Sequence, residues 1–302
     1  MASYDATPET SAPDKDVVGV VGLGAIGGNV ARALAASGLY TVVGYDPREE
    51  AFEQFPEARP VPSARVLAEM ADTVLVAVYD DAQLRTALTG ADGILVATPP
   101  PATVCVLSTV TLTTLRWAAR EAARANVELI DCGVTGGSGL RVRGKIVVLA
   151  GGSDKAIAAV RPVLEVFGDP VLHMGDLGTG MKAKLARNLM HYSGWYAAWE
   201  AARVADACGI DVRKLVQAHE ISNAASSGGG TSLLTAGIGP GLPFDPHDED
   251  SITRRRRSAG FAKKDLQYIS ELAGEVGISL PGAELVRERI DLVVGLADED
   301  AS

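Results

Sequence analysis

Three cysteines in 302 residues, Cys105, Cys132 and Cys208, are too few and too scattered for a disulfide framework or a metal-ligand pair. A reducing compartment is therefore expected. The four histidines form no cluster with acids or thiols, so no metal site is expected. No apolar run reaches the about 18 residues that a membrane-spanning helix needs. Cations are in deficit: 28 Lys+Arg against 38 Asp+Glu leave a net charge of −10. Such a chain repels phosphate backbones, which argues against a nucleic-acid or anionic-membrane surface. The one basic block, Arg254 to Arg257, reads as a solvated helix face. Residues 1–16 lack both an apolar core segment and any arginine, so neither a signal nor a transit peptide is expected. They read as a polar, disordered arm, the acidic Asp298–Asp300 reads likewise, and the expected location is the cytoplasm.

What is present is regular. The apolar runs Val17–Val21, Thr41–Tyr45, Thr73–Val78, Thr103–Leu107, Val127–Ile130 and Lys145–Leu149 alternate with alanine-rich helical stretches. Short β-branched runs separated by helices predict strands buried on both faces, joined by βαβ crossovers in a doubly wound parallel sheet. Beyond Gly152 the texture becomes helical: Ser153–Phe167, then a glycine-rich joint at Gly175–Gly180, then about 28 residues of helix from Met181 to Cys208. Further helices are expected at Val212–Ile221, Phe261–Val276 and Pro281–Val294, with an aperiodic Gly/Ser/Pro-rich segment from Ser222 to Pro246. This predicts an α/β Rossmann domain over 17–177 and an all-α domain over 178–302, joined by the long helix.

The strongest local motif is Gly22-Leu23-Gly24-Ala25-Ile26-Gly27, after one strand and opening a helix near Gly28. The first glycine permits the tight turn, the second lets backbone N–H groups approach a pyrophosphate, and the third lets helix and strand pack closely. The diphosphate then lies at a helix N-terminus, where the macrodipole favours negative charge. Asp46 ends the second strand, 24 residues past Gly22, where a carboxylate accepts hydrogen bonds from ribose hydroxyls and repels a 2′-phosphate. That favours NAD. Arg48 keeps NADP open, and a helix-capping role for Asp46 is compatible with either. Val78 and Tyr79 end the third long strand, on the carboxyl edge where ligands bind in such sheets.

Two later blocks narrow the chemistry. Asp131–Gly137 (DCGVTGG) follows a strand and reads either as a backbone cradle for a small carboxylate or as a plain turn. In Gly178–Asn188 (GTGMKAKLARN), Lys184 and Asn188 are four apart and share a helix face. A lysine in a partly dry cleft titrates closer to neutrality and suits proton exchange with a hydroxyl; on spacing alone, Lys182, Lys184 and Arg187 are equally readable as surface cations.

Taken in order, GLGAIG (22–27), LST (107–109), DCGVTGGSGLRVRGKIVVLAGG (131–152), GTGMKAKLARN (178–188) and FAKKDL (261–266) give the chain its resemblance to the β-hydroxyacid dehydrogenases. That group includes 3-hydroxyisobutyrate dehydrogenase and 6-phosphogluconate dehydrogenase. The resemblance spans about Val17 to Val294. It implies that Ser108, Gly136 and Gly137 hold a substrate carboxylate, that Lys184 is the general acid/base, and that Asn188 orients the substrate. It places Lys264 and Asp265 beside the nicotinamide. It implies direct hydride transfer between a nicotinamide cofactor and a small 3-hydroxy acid of the 3-hydroxyisobutyrate or 2-hydroxy-3-oxopropionate type. A homodimer or homotetramer built through the long helix is also implied, and the aromatic stretch Tyr192–Ala202 suits burial there.

The departures count too. Cys132, Gly133 and Thr135 replace the residues usual in the family's third block, and Cys132 reads as packing. An Asn-Asn pair becomes Arg187-Asn188. His191 stands where decarboxylating 6-phosphogluconate enzymes carry a glutamate, which argues against oxidative decarboxylation. Arg141 and Arg143 replace small residues, as candidates for a second anionic group or for solvent. Two other readings stay open: an imine reductase on the same scaffold, which Lys184 disfavours, and a non-catalytic dinucleotide-binding relative.

Overall fold

A computed structural model describes residues 16–136, 146–225 and 248–296. By compactness the chain divides into two units, residues 1–187 and 188–302. The arm expected over 1–16 thus falls almost wholly outside the described residues, although the Asp16 carbonyl already accepts the Thr41 N–H at 3.0 Å. Also outside them are Gly137, Arg141, Arg143, most of the Gly/Ser/Pro-rich segment and the acidic end.

The first unit is a mixed α/β layer structure. Its strands are β1 (Val17–Val21), β2 (Thr41–Tyr45), β3 (Arg59–Pro60), β4 (Thr73–Val76), β5 (Thr103–Val106), β6 (Glu128–Thr135), β7 (Ile146–Gly151) and β8 (Gly168–Gly175). They form one eight-stranded sheet in the order β3-β2-β1-β4-β5-β6-β7-β8. Its helices are α1 (Gly27–Ala36), α2 (Glu50–Gln54), α3 (Ala64–Met70), α4 (Asp81–Thr89), α5 (Leu112–Arg124) and α6 (Asp154–Phe167), followed by the start of α7 (Thr179–Ala207). Alternate strand residues feed two cores. Val18, Val20, Leu75, Cys105, Ile130 and Val148 meet α1 and α6 on one face. Val43, Val74, Val76, Val104 and Val106 meet α3, α4 and α5 on the other. Burial on both faces explains why the runs read as continuously apolar.

Helix starts follow local chemistry. Ser63, Asp80, Thr111 and Ser153 each accept a backbone N–H of the first turn of α3, α4, α5 and α6. Each such cap contributes about 1 kcal/mol.

The sheet is the expected doubly wound one and mostly parallel, with one exception: β6 and β7 run antiparallel, while the other neighbouring pairs are parallel. Residues 136–145 alone link β6 to β7, fewer than the dozen or so that a crossover requires. The segment from Asp131 to Thr135, expected to follow a strand, itself forms the last five residues of β6.

In the second unit, α7 continues, followed by α8 (Val212–Ala225), α9 (Glu249–Glu275) and α10 (Pro281–Val293). Helix α9 begins twelve residues before the expected Phe261, with Asp248 as its cap. The arginine block therefore lies within a helix, but not wholly on a solvated face. Arg255 is 3% exposed and donates to the Val294 and Gly295 carbonyls at 3.2 and 2.6 Å. At the other end of α10, buried Glu200 accepts the N–H groups of Gly282 and Ala283 at 2.9 and 3.1 Å. A carboxylate at the N-terminus and a guanidinium at the C-terminus both follow the helix macrodipole.

Candidate functional site

Strand registry collects the site. Val21 pairs with Val76, Val76 with Val106, and Val106 with Asp131. These four form one row across the sheet. Whatever follows them in sequence therefore emerges on a single carboxyl edge: the Gly22–Gly27 loop, Val78 and Tyr79, Ser108, and Cys132–Gly136.

The glycine loop is built as its sequence implies. Gly22 has φ +88°, and a Cβ there would stand 2.5 Å from the Ala77 carbonyl oxygen. At Gly27 a Cβ would lie 1.9 Å from the Gly22 carbonyl oxygen, so α1 closes directly on the turn. Around Gly24 nothing lies within 4 Å of such a position, which leaves the backbone open to an approaching ligand. Beside it is a cavity of about 430 Å³ lined by Leu23, Gly24, Ala25, Asn29, Arg32 and Arg48, among others. An open glycine edge, a helix N-terminus and a cation-lined cavity fit the adenosine-diphosphate half of a dinucleotide.

Asp46 directly follows β2 and is 8% exposed. One of its oxygens, Oδ2, accepts the Leu23 N–H at 2.8 Å, tying β2 to the glycine loop. Arg48 supplies its backbone N–H and Nε to Oδ1, both at 3.0 Å, and Nη2 to Oδ2 at 2.9 Å. Burial pushes the Asp46 carboxyl up, but the bonds from Arg48 and Leu23 outweigh it and hold the group below the ordinary carboxylate range. Arg32 is fixed by Glu57, the Gln54 carbonyl and Asn29, and stacks on Phe55 at 4.9 Å. Both cations face the cavity, a feature that the motif alone does not reveal.

Ser108 is buried. Its hydroxyl accepts the Val78 N–H at 2.7 Å and lies 3.4 Å from the Val76 carbonyl, so it ties the ends of β4 and β5 together. Tyr79 is 87% exposed on the same edge. Gly136 has φ +80° and open space where a Cβ would be. Cys132 is wholly buried, and its neighbour Cys105 together with burial pushes its thiol well up, which suits packing and not nucleophilic attack.

Lys184 stands on the second turn of α7, half-buried. A Cβ on Gly133 would lie 2.6 Å from the lysine Cβ, so the helix rests directly on β6. Burial, then the like charge of Arg187, holds the Lys184 ammonium below the usual lysine range. Asp131 was missed as a functional candidate in the sequence. It is wholly buried, and it accepts the Gly178 N–H at 2.6 Å and the Met181 N–H at 2.5 Å. In the second unit, Asn188 is partly buried, while Lys264 pairs with Asp265 at 3.2 Å and lies 5.6 Å from the Phe261 ring.

Fold and loop together define a dinucleotide-binding protein. The family model of the NAD-binding domain of 6-phosphogluconate dehydrogenase matches residues 17–175. An uncharacterized oxidoreductase of Mycobacterium tuberculosis is 30% identical over 294 residues, covering 96% of this chain and 97% of that protein. The human mitochondrial 3-hydroxyisobutyrate dehydrogenase is 27% identical over 243 residues, covering 80% and 72%. Among solved structures, a Mycobacterium avium protein matches with TM-score 0.79 at 26% identity, over 93% of this chain and 99% of that chain. An imine reductase of a Pseudomonas species matches with TM-score 0.71 over 94% and 96%, at 17% identity, which shows the fold alone. The chain belongs to the 6-phosphogluconate dehydrogenase and 3-hydroxyisobutyrate dehydrogenase-like family of oxidoreductases.

Proposed function

We propose that the chain moves a hydride between a nicotinamide cofactor and a small 3-hydroxy acid of the 3-hydroxyisobutyrate type, with Lys184 as the proton-transfer group. The carrying observation is the shared carboxyl edge, which gathers the glycine loop, Ser108, Gly136 and the β6 segment under Lys184. The dinucleotide, held by Gly22–Gly27 and Asp46, supplies hydride-transfer chemistry at its nicotinamide. The protein's own work is at the other partner. As the family resemblance implies, Gly136 and Gly137 hold the carboxylate, joined by the Ser108 O–H when it turns from the Val76 carbonyl, its oxygen still accepting the Val78 N–H. For Asn188 and Lys264 it is the family resemblance alone that supports an orienting role toward the substrate and a role toward the cofactor. Lys184 Nζ takes the hydroxyl proton during oxidation and returns it during reduction. A depressed lysine is neutral more often near physiological pH, which oxidation requires.

The test is a spectrophotometric panel with both nicotinamide cofactors, 3-hydroxyisobutyrate and related hydroxy acids, and a cyclic imine. Turnover of the hydroxy acid supports the reading. Reduction of the imine with no oxidation of any hydroxy acid would move the chain to imine reductase chemistry, the runner-up that the shared fold favours.

Two predictions refine the site. Arg187 is a like charge that helps depress Lys184. Removing it in Arg187→Ala raises the Lys184 pKa, so the rise of kcat/KM for oxidation shifts to higher pH; a limb that stays put or moves down contradicts this placement. The second concerns the cofactor. Asp46 favours NAD(H), while Arg48, by neutralising it, admits the 2′-phosphate of NADP(H). Arg48→Ala should weaken NADPH about 10- to 100-fold, the loss of one charged hydrogen-bond partner, and leave NADH nearly unchanged. Equal losses for both in a binding titration would count against the role of Arg48.

The family resemblance supports a homo-oligomer, and α7 carries apolar side chains suited to it. Leu189 is 70% and Trp199 54% exposed, with Tyr196 5.7 Å from Trp199.

A further inference from the structure

We infer that Asp131 is a positioning residue: from the middle of β6, its carboxylate clamps the first turn of α7 and thereby fixes where Lys184 stands. This rests on the reading of Lys184 as the proton-transfer group. The geometry is specific. The carboxylate reaches across 47 and 50 residues of chain to the Gly178 and Met181 N–H groups, one oxygen to each. Gly178 immediately precedes α7 and Met181 lies in its first turn, where N–H groups lack an intrahelical acceptor and a carboxylate is favoured by the helix dipole. Met181 and Lys184 are three apart on the helix, so the clamped N–H and the lysine lie on adjoining turns of one face.

Three glycines make the clamp possible by letting backbones touch. A Cβ at Gly151, the β7 partner of Asp131, would stand 2.4 Å from the Asp131 Oδ1. One at Gly180 would lie 2.3 Å from the Leu149 carbonyl oxygen and 2.9 Å from that of Asp131. Gly133, two residues along β6 on the same face as Asp131, leaves the space that Lys184 Cβ fills. The anion, the helix start and the lysine thus rest on one short stretch of strand. Burial pushes the Asp131 carboxyl up, against the pull of its backbone N–H donors.

The experiment compares full-length wild type, Asp131→Asn, Gly151→Ala and Lys184→Ala. Oxidation of 3-hydroxyisobutyrate is followed with each cofactor. In parallel, trace acetylation of Lys184 by acetic anhydride is read by mass spectrometry across pH, which needs no turnover. Asp131→Asn keeps the shape but sets an amide NH₂ against one N–H. It should lower kcat about 10- to 100-fold, as small displacements of a reacting group do, with substrate KM and dinucleotide Kd within about twofold. The acetylation midpoint of Lys184 should rise toward the ordinary lysine range as the amine gains water. Gly151→Ala, which pushes the carboxylate off Gly178, should do the same and covers the case in which Asp131→Asn folds poorly. Wild-type kcat and midpoint in both variants, with Lys184→Ala inactive, overturn the clamp. Full turnover in Lys184→Ala overturns the reading of Lys184 instead. If 3-hydroxyisobutyrate is not a substrate, an unmoved midpoint alone overturns the clamp and a raised one supports it.

Discussion

Lys184→Ala is expected to lower kcat by about 10²- to 10⁴-fold, the usual contribution of a placed general acid/base. The loss should fall on turnover and not on cofactor binding, because Lys184 lies over β6 and not in the glycine loop. NADH affinity measured by fluorescence should therefore stay near wild type. Lys184→Arg separates the two things a lysine can offer. It keeps a cation at the site but does not give up its proton, so it should be nearly as inactive as the alanine variant. An arginine variant with substantial activity would make the residue an electrostatic anchor and end its role as a base. Thermal stability gives an internal control. The replaced ammonium is half-buried, and its charged form is disfavoured by burial and by Arg187, so its removal should not lower Tm.

The second large effect is at Gly27. A methyl group there would sit 1.9 Å from the Gly22 carbonyl oxygen and 3.0 Å from the Ala77 side chain, so α1 must move off the turn. Overpacking of this kind costs about 1–3 kcal/mol, which corresponds to about a 5- to 150-fold loss if it is felt in dinucleotide affinity. Gly27→Ala should weaken both NADH and NADPH and lower Tm. Gly24→Ala is the contrasting variant. Its added methyl meets nothing within 4 Å, so Tm should hold while dinucleotide affinity falls, because the methyl occupies the ligand's approach. Calorimetric titration and a melting curve decide the pair. Unchanged affinity in Gly24→Ala would show that the diphosphate lies elsewhere.

Much of this was legible beforehand where the signal is local. Strands β1 and β2 fall on the expected residues, because a run of four β-branched or aromatic residues broken only by one glycine has few alternatives. The glycine loop and Asp46 were readable from spacing alone. Strand β8 was not: five of its eight residues are exposed, it contains Pro170, and it lies at the sheet edge, so no apolar alternation announces it. Asp131 was hidden for a different reason. Its partners are backbone N–H groups nearly fifty residues away, and a backbone donor leaves no trace in side-chain identity. The partnership of Arg48 with Asp46 is local, two residues apart, yet whether a guanidinium turns toward a carboxylate or toward solvent depends on burial that only the fold supplies.

The inward turn of Arg255 also changes what the four consecutive arginines amount to as a source of electrostatic field. On a helix, successive residues are separated by about 100°, so the block spreads around the axis and does not line up along one side. With Arg255 directed at the end of α10, the exposed cations are Arg254, Arg256 and Arg257. Arg254 and Arg257, three apart, are on one side of the helix, while Arg256 is about 100° or more from both. Arg254 leans toward Asp248 at 3.9 Å, and Arg257 lies over the Phe261 ring at 5.5 Å. Four positive letters in a row thus yield no stripe along which a polyanion could be tracked. The densest run of positive charge in the sequence becomes, in three dimensions, a cap for the end of α10 and three exposed cations, two of which lean on Asp248 and Phe261.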